Sequence, residues 1–219
     1  MIKLEHTVFA SPEQMMFIIE GMRNPMNSWK KSDSELHKEV ALDLTPSFYL
    51  GNNDKDLMQR LGKAGTDHRK FMRMMPVYVR ITAPLYWWKE FDTYKVGTVA
   101  NSCSTMHKIQ AKEFTLDDFS MEHLDIRTEA LLKVTIKTLN YYRKLYIEYD
   151  ADDFEIKGLP SKKDIWWQMI QSLPSSYNQT RNVMLNYEVL ANIYHSRKNH
   201  KLDEWREFCS WIESIPYSY

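Results

Sequence analysis

The chain has 219 residues, with 29 Lys+Arg against 29 Asp+Glu and a formal charge of zero. Its 43% hydrophobic content, with 7 Trp, 13 Tyr and 9 Phe, excludes a disordered chain, and its charge balance excludes a globally basic nucleic-acid binder. Two Cys cannot form a disulfide framework, so a reducing, cytoplasmic setting is expected, and 6 Gly argue against a loop-rich or solenoid β protein.

Ile2–Ala10 reads as a short strand. Ser11-Pro12-Glu13-Gln14 then starts a helix, with Ser11 as cap, Pro12 at the first position and Gln14 completing a capping box. Met15, Phe17, Ile18, Ile19 and Met22 carry that helix to near Pro25. Asn27–Glu39 is mostly polar and reads as a surface loop or frayed helix. Val40–Leu50 alternates weakly up to Gly51. Asn53–Gly65 is a second helix, with Asn53 as expected cap, Leu57, Met58 and Leu61 as its stripe, and Gly65 as stop.

Val77–Thr82 is the clearest strand, β-branched and alternating. Ala83-Pro84 ends it, and Pro84 opens a helix to about Phe91. Val96–His107 is small and polar and reads as a functional loop. Thr128–Tyr149 is a long amphipathic helix. Ser161–Ser172 is another, capped by Ser161 and ended by Leu173-Pro174. Val183–Ser196 has apolar residues at helical spacing, and Leu202–Ile215 is a terminal helix. Helices dominate without a regular βαβ alternation. The expected class is therefore α+β, with an antiparallel or mixed sheet packed against several long helices. No linker is visible, so one domain over 1–219 is expected. Neither a signal peptide nor a membrane-spanning run is expected.

Nucleotide-loop, zinc-protease and CxxC motifs are missing. Two stretches look more specialised than a core needs. In Pro84–His107, Tyr86, Trp87, Trp88 and Tyr94 lie near Lys95, Thr98, Asn101 and Ser104. Aromatic faces beside such groups suit a planar ring and a phosphate; the alternative is that the Trp pair is core and the loop ordinary. In Tyr177–His200, Asn186 and Asn192 sit where a helix is expected, although Asn is a poor helix former, which points to side chains used for hydrogen bonding. Arg181 and Arg197 suit bidentate phosphate contacts; the alternative is a solvated face. Cys209 reads as core, and Cys103 lies in the polar loop. The seven His do not pair at i, i+4, so no metal site is expected.

These two stretches resemble the flavin-dependent thymidylate synthase family. His68 precedes the strand, Ala83-Pro84 and the helix Leu85–Phe91 follow, and Lys95 comes at the family's spacing. Thr93, Tyr94 and Lys95 stand where the family has Arg-His-Arg. Asn101 and Ser104 match the family's N-x-x-S with one residue inserted; without the gap, Ala100 and Cys103 fall there. Leu173-Pro174, Asn186, Leu190, Asn192 and Arg197 follow the second family pattern in register. Glu188 replaces a usual Arg.

The resemblance implies FAD held by His68, Asn186 and Asn192, with Lys95 at a flavin or nucleotide phosphate. It implies a pyrimidine deoxynucleotide held by Arg181, Arg197, Asn101 and Ser104, with Arg197 and Ser104 nearest the chemistry. The implied activity is C5 methylation of a deoxyuridine monophosphate, or a related one-carbon modification, with NADPH and methylene-tetrahydrofolate as co-substrates. It also implies a homotetramer with sites shared between subunits, and no membrane or long nucleic acid as partner. The second reading is a catalytically lapsed member that binds a nucleotide or protein partner without chemistry.

Overall fold

Chain entry into the first helix is fixed by Ser11. Its Oγ accepts from the Gln14 backbone N–H at 3.2 Å, and the Gln14 side chain accepts from Ser11 N–H at 2.8 Å. This is the expected capping box, with Pro12 in the first turn. The helix, α1 (Pro12–Arg23), follows β1 (Lys3–Phe9) and buries Met15, Ile18, Ile19 and Met22. The structure, a computed structural model, describes residues 1–37, 46–150 and 160–218.

The polar stretch after α1 holds β2 (Glu35–His37), which pairs antiparallel with β3 (Ser47–Tyr49) and sets Leu36 opposite Phe48. Of the alternating segment expected from Val40, residues 40–45 lie outside the described ones. Helix α2 (Asn52–Lys63) is capped by Gly51 rather than Asn53. The acceptors that Asn53 was expected to supply come from Asp33, whose carboxylate takes the N–H groups of Asn53 and Asp54 at 2.9 and 3.1 Å. Gly65, just past the helix, has φ +102°, the left-handed conformation that its place as a stop requires.

Next come α3 (Lys70–Met74), β4 (Pro76–Pro84) and α4 (Leu85–Phe91). The expected functional loop after α4 is partly regular, containing β5 (Val99–Ser102) and the short α5 (Thr105–Lys108). Helix α6 (Ile126–Ile147) starts at Asp125, whose carboxylate accepts from Arg127 and Thr128 N–H. Helix α7 (Lys162–Ser172) starts at Ser161 with a second capping box.

The stretch expected as one helix from Val183 to Ser196 is a strand followed by a helix: β6 (Asn178–Asn186), then α8 (Tyr187–Arg197). Val183 and Leu185, two apart, are both buried, which is strand spacing. Asn186 ends the strand and caps the helix, so it is not a helix-interior residue. The chain closes with α9 (Asp203–Ser214).

The class is α+β, as expected. A four-stranded sheet runs in the order β1-β4-β6-β5. The chain divides into two compact units, one of Met1–Lys3, Thr82–Thr93 and Ser102–Arg181, the other of Leu4–Ile81, Tyr94–Asn101 and Asn182–Tyr219. The first unit has a core of Ile109, Phe114, Phe119, Leu132, Ile136, Leu139 and Met169. Trp87, Trp88 and Phe91 are also buried in that unit, with the Trp87 and Phe91 rings stacked at 5.0 Å. These two tryptophans are core rather than an open platform. In the second unit the buried residues include Leu57, Phe71, Met75, Leu190, Trp205 and Phe208.

Among the described residues, no helix is long and apolar enough to cross a membrane, and no cluster of three or more His, Cys, Asp or Glu stands ready for a metal ion.

Candidate functional site

The candidate residues fall in both units. His68, Lys95, Asn101, Asn186, Asn192 and Arg197 belong to the second; Ser104 and Arg181 belong to the first.

In the second unit the best-defined of them is Asn186. Its side-chain oxygen accepts from Val189 N–H at 3.0 Å, and its amide nitrogen donates to the Gly97 carbonyl at 3.5 Å. It is 8% exposed. The turn that bears Lys95 is thereby tied to the start of α8. Gly97 has φ +80°, and a Cβ there would meet the Asn186 amide at 2.9 Å and Val189 at 3.1 Å. Only glycine fits this approach.

Arg197 ends the same helix. Its Nε donates to the Tyr94 hydroxyl at 2.9 Å, and its guanidinium lies 4.9 Å from the Trp205 ring centroid. The expected aromatic partner Tyr94 is thus a clamp on a cation. Lys95, Asn101 and Asn192 are exposed, with polar side chains at the surface. His68 is exposed in the turn before α3.

Glu188 is 7% exposed in the first turn of α8. Arg73 Nη1 donates to its Oε2 at 3.0 Å, and Arg69 Nε stands 3.7 Å from its Oε1. Sequence reasoning noted the departure at 188 and missed both partners. The available signal was their spacing: Arg69 and Arg73 are four apart, on one face of a helical turn.

In the first unit Arg181 is held from three sides. Nη1 donates to Asp92 at 2.8 Å, Nε donates to the Gln179 side chain at 3.0 Å, and the guanidinium carbon sits 4.1 Å from the Trp88 centroid. Gln179 in turn donates to the Cys103 carbonyl at 2.9 Å. Asp92 neutralises the charge that was expected to meet a phosphate. The Ser104 hydroxyl caps α5 by accepting from His107 N–H at 3.0 Å. Cys103 is exposed, whereas Cys209 is buried as expected, and burial pushes its thiol up to about 11.

No family model matches this sequence, and no curated protein does. Solved structures do. A crystal structure of thymidylate synthase X from Helicobacter pylori, with FAD and dUMP, is similar at a TM-score of 0.62 and 12% identity, over 100% of this chain and 95% of that one. Another of the flavin-dependent thymidylate synthase from the same organism, also complexed with FAD and dUMP, gives 0.59 and 15%, over 98% and 93%. At these identities the likeness is one of fold: the chain has a thymidylate synthase X-like fold along its whole length.

Proposed function

We propose that this chain is a divergent flavin-dependent thymidylate synthase-like enzyme. On this reading it binds FAD and a pyrimidine deoxynucleotide and modifies a deoxyuridine monophosphate at C5. The observation that carries the reading is the full-length fold likeness to chains crystallised with FAD and dUMP. It coincides with the order and spacing of His68, Ala83-Pro84, Asn186, Asn192 and Arg197 in the sequence.

The residues of the second unit are compatible with a flavin. Asn192, Lys95 and His68 are exposed and offer amide, ammonium and imidazole groups. Asn186 has another duty, because its amide is engaged with Val189 and Gly97. Its proposed part is to hold the Lys95 turn against α8. When bound, the flavin supplies the redox chemistry, and the chain supplies position and charge. Arg197, fixed by Tyr94 and Trp205, is assigned to the nucleotide. Its set orientation favours bidentate contact with a phosphate or a pyrimidine edge. Lys95 is assigned to a phosphate, and Asn101 to the nucleotide. NADPH and methylene-tetrahydrofolate complete the proposed reaction.

Ser104 and Arg181 are assigned to the nucleotide from their own unit. A phosphate binding Arg181 has to displace Asp92 or share the guanidinium with it. The proposed assembly is a homotetramer in the cytoplasm. Its support is the apolar surface of α6, where Ile126 is 84% and Leu131 67% exposed, with Val134 and Tyr141 also open.

A second reading, a lapsed member that binds nucleotide without turnover, is favoured by Glu188. That carboxylate occupies two arginines in the place where the family carries a cation. One experiment separates the two. The purified protein is examined for flavin absorbance, then given NADPH, methylene-tetrahydrofolate and dUMP. Bound flavin and methylated product support the enzyme. Nucleotide binding in a colourless protein with no FAD affinity overturns it in favour of the second reading.

A further inference from the structure

A cavity of about 500 Å³ opens in the second unit. One wall is the face of α8 bearing Tyr187, Leu190 and Ala191; Met72 and Ile212 line it from other elements. His68, Lys95, Asn101, Asn192 and Arg197, assigned above to flavin and nucleotide, do not line it, although His68 adjoins the lining residue Arg69 in the chain. Its size falls within the range of sites that take a small organic molecule.

The lining is apolar, and methionine makes it adaptable to an irregular ligand. Its charged groups are unequal. Arg69 lines the cavity, and its Nε is closed off from solvent and makes no hydrogen bond, with Glu188 at 3.7 Å. Lys63 lines the same space, as does the imidazole of His195, which is not counted among the charges. Among the described residues the one carboxylate lining it, Glu213, accepts a hydrogen bond from the Tyr194 hydroxyl. Glu188 does not line the cavity and is also occupied by Arg73 at 3.0 Å. The cavity is thus an oily space with Lys63 and the Arg69–Glu188 ion pair on one side, and in that pair both the Arg69 Nε and the Glu188 Oε1 lack a hydrogen-bond partner.

We infer that this cavity binds a small amphipathic monoanion of the fatty-carboxylate kind. Its apolar body lies among the methionine and aromatic side chains, and its charged head meets Arg69.

The test uses two dyes on the full chain: anionic anilinonaphthalene sulfonate and uncharged phenylnaphthylamine, both read by fluorescence. The expected result is saturable binding of both at one site per chain. Arg69→Gln weakens the sulfonate about tenfold or more and leaves the uncharged dye unaffected. Ala191→Trp fills the space and removes both dyes. A measurement on the unmodified protein guards against a variant that fails to fold: decanoate displaces the sulfonate dye, and decanol does so far less well. Equal displacement by decanol, an Arg69→Gln variant with unchanged sulfonate affinity, or no saturable binding overturns the inference. None of these readings depends on flavin or nucleotide.

Discussion

Arg73 donates to the Glu188 carboxylate at 3.0 Å, joining the short helix α3 to the first turn of α8. Glu188 is nearly buried and answers two arginines, so its removal leaves two cations facing each other. Glu188→Gln is expected to lower stability by about 1–3 kcal/mol, as for loss of a hydrogen bond to a charged group. Glu188→Arg, which places there the residue usual in the family that the sequence resembles, is expected to cost about 3–5 kcal/mol, since it adds a third cation to a partly buried pair. Urea midpoints of the two variants check this, and a neutral Glu188→Arg refutes it.

The family resemblance implies one ligand role for Asn186 and Asn192, but the two differ in structural duty. Asn186→Ala removes the cap of α8 and its tie to Gly97, and is expected to cost about 1 kcal/mol of stability. Asn192→Ala removes an exposed side chain and is expected to change stability by less than about 0.5 kcal/mol. If the flavin reading holds, Asn192→Ala nevertheless weakens FAD binding. Parallel thermal melts and flavin titrations distinguish a ligand contact from a helix cap.

Asp54 gives the fold an acid-sensitive point. Burial pushes its carboxyl up, but hydrogen bonds from Ser32, Ser34, Arg23 and the Asp33 backbone outweigh this and hold it below its ordinary 3.8. A carboxyl lowered on folding adds stability that is complete above its unfolded value and lost as pH falls through the folded one. Stability is therefore expected to fall as pH drops below about 3.8, by less in Asp54→Asn than in the natural chain. Denaturant melts from pH 6 to pH 2, a range of about 4 units around that value, read the difference.

The two thiols are expected to react very differently. Cys103 is exposed, and Cys209 is buried with its thiol pushed up to about 11 by desolvation and, to a lesser extent, by Glu213. Native protein at mildly alkaline pH is expected to take up one equivalent of an aromatic disulfide reagent rapidly, at Cys103. Cys209 reacts after unfolding. Rapid uptake of two equivalents by the folded protein contradicts this burial.

Local signals in the sequence carry much of this fold. The box at Ser11, the cap at Ser161 and the stop at Gly65 each depend on a few neighbouring residues and appear in the structure, as does the strand from Val77, which runs on through Ala83-Pro84. What failed depended on distant groups. Asn53 has the residue type of a cap, but Asp33, twenty residues upstream, is the acceptor for the first N–H groups of that helix. Val183 and Leu185 were merged with the following helix because a short apolar run fits either period; pairing within the sheet decides it. Trp87 and Trp88 looked like a ligand platform because sequence cannot tell a buried indole from an open one. Around the candidate residues, Tyr94 as the clamp on Arg197, Asp92 on Arg181, and Arg69 and Arg73 on Glu188 are tertiary facts with no short-range pattern.

Each compact unit is assembled from three separate stretches of chain, and each of the four strands β1, β4, β5 and β6 is divided between the units. Gene dissection therefore has no clean seam here. Any fragment holding all of one unit also carries much of the other, and four of the five chain boundaries between the units fall inside a strand. Ligand assignment by separate expression is closed off, and the roles of the two arginine sites must be dissected by substitutions in the intact chain.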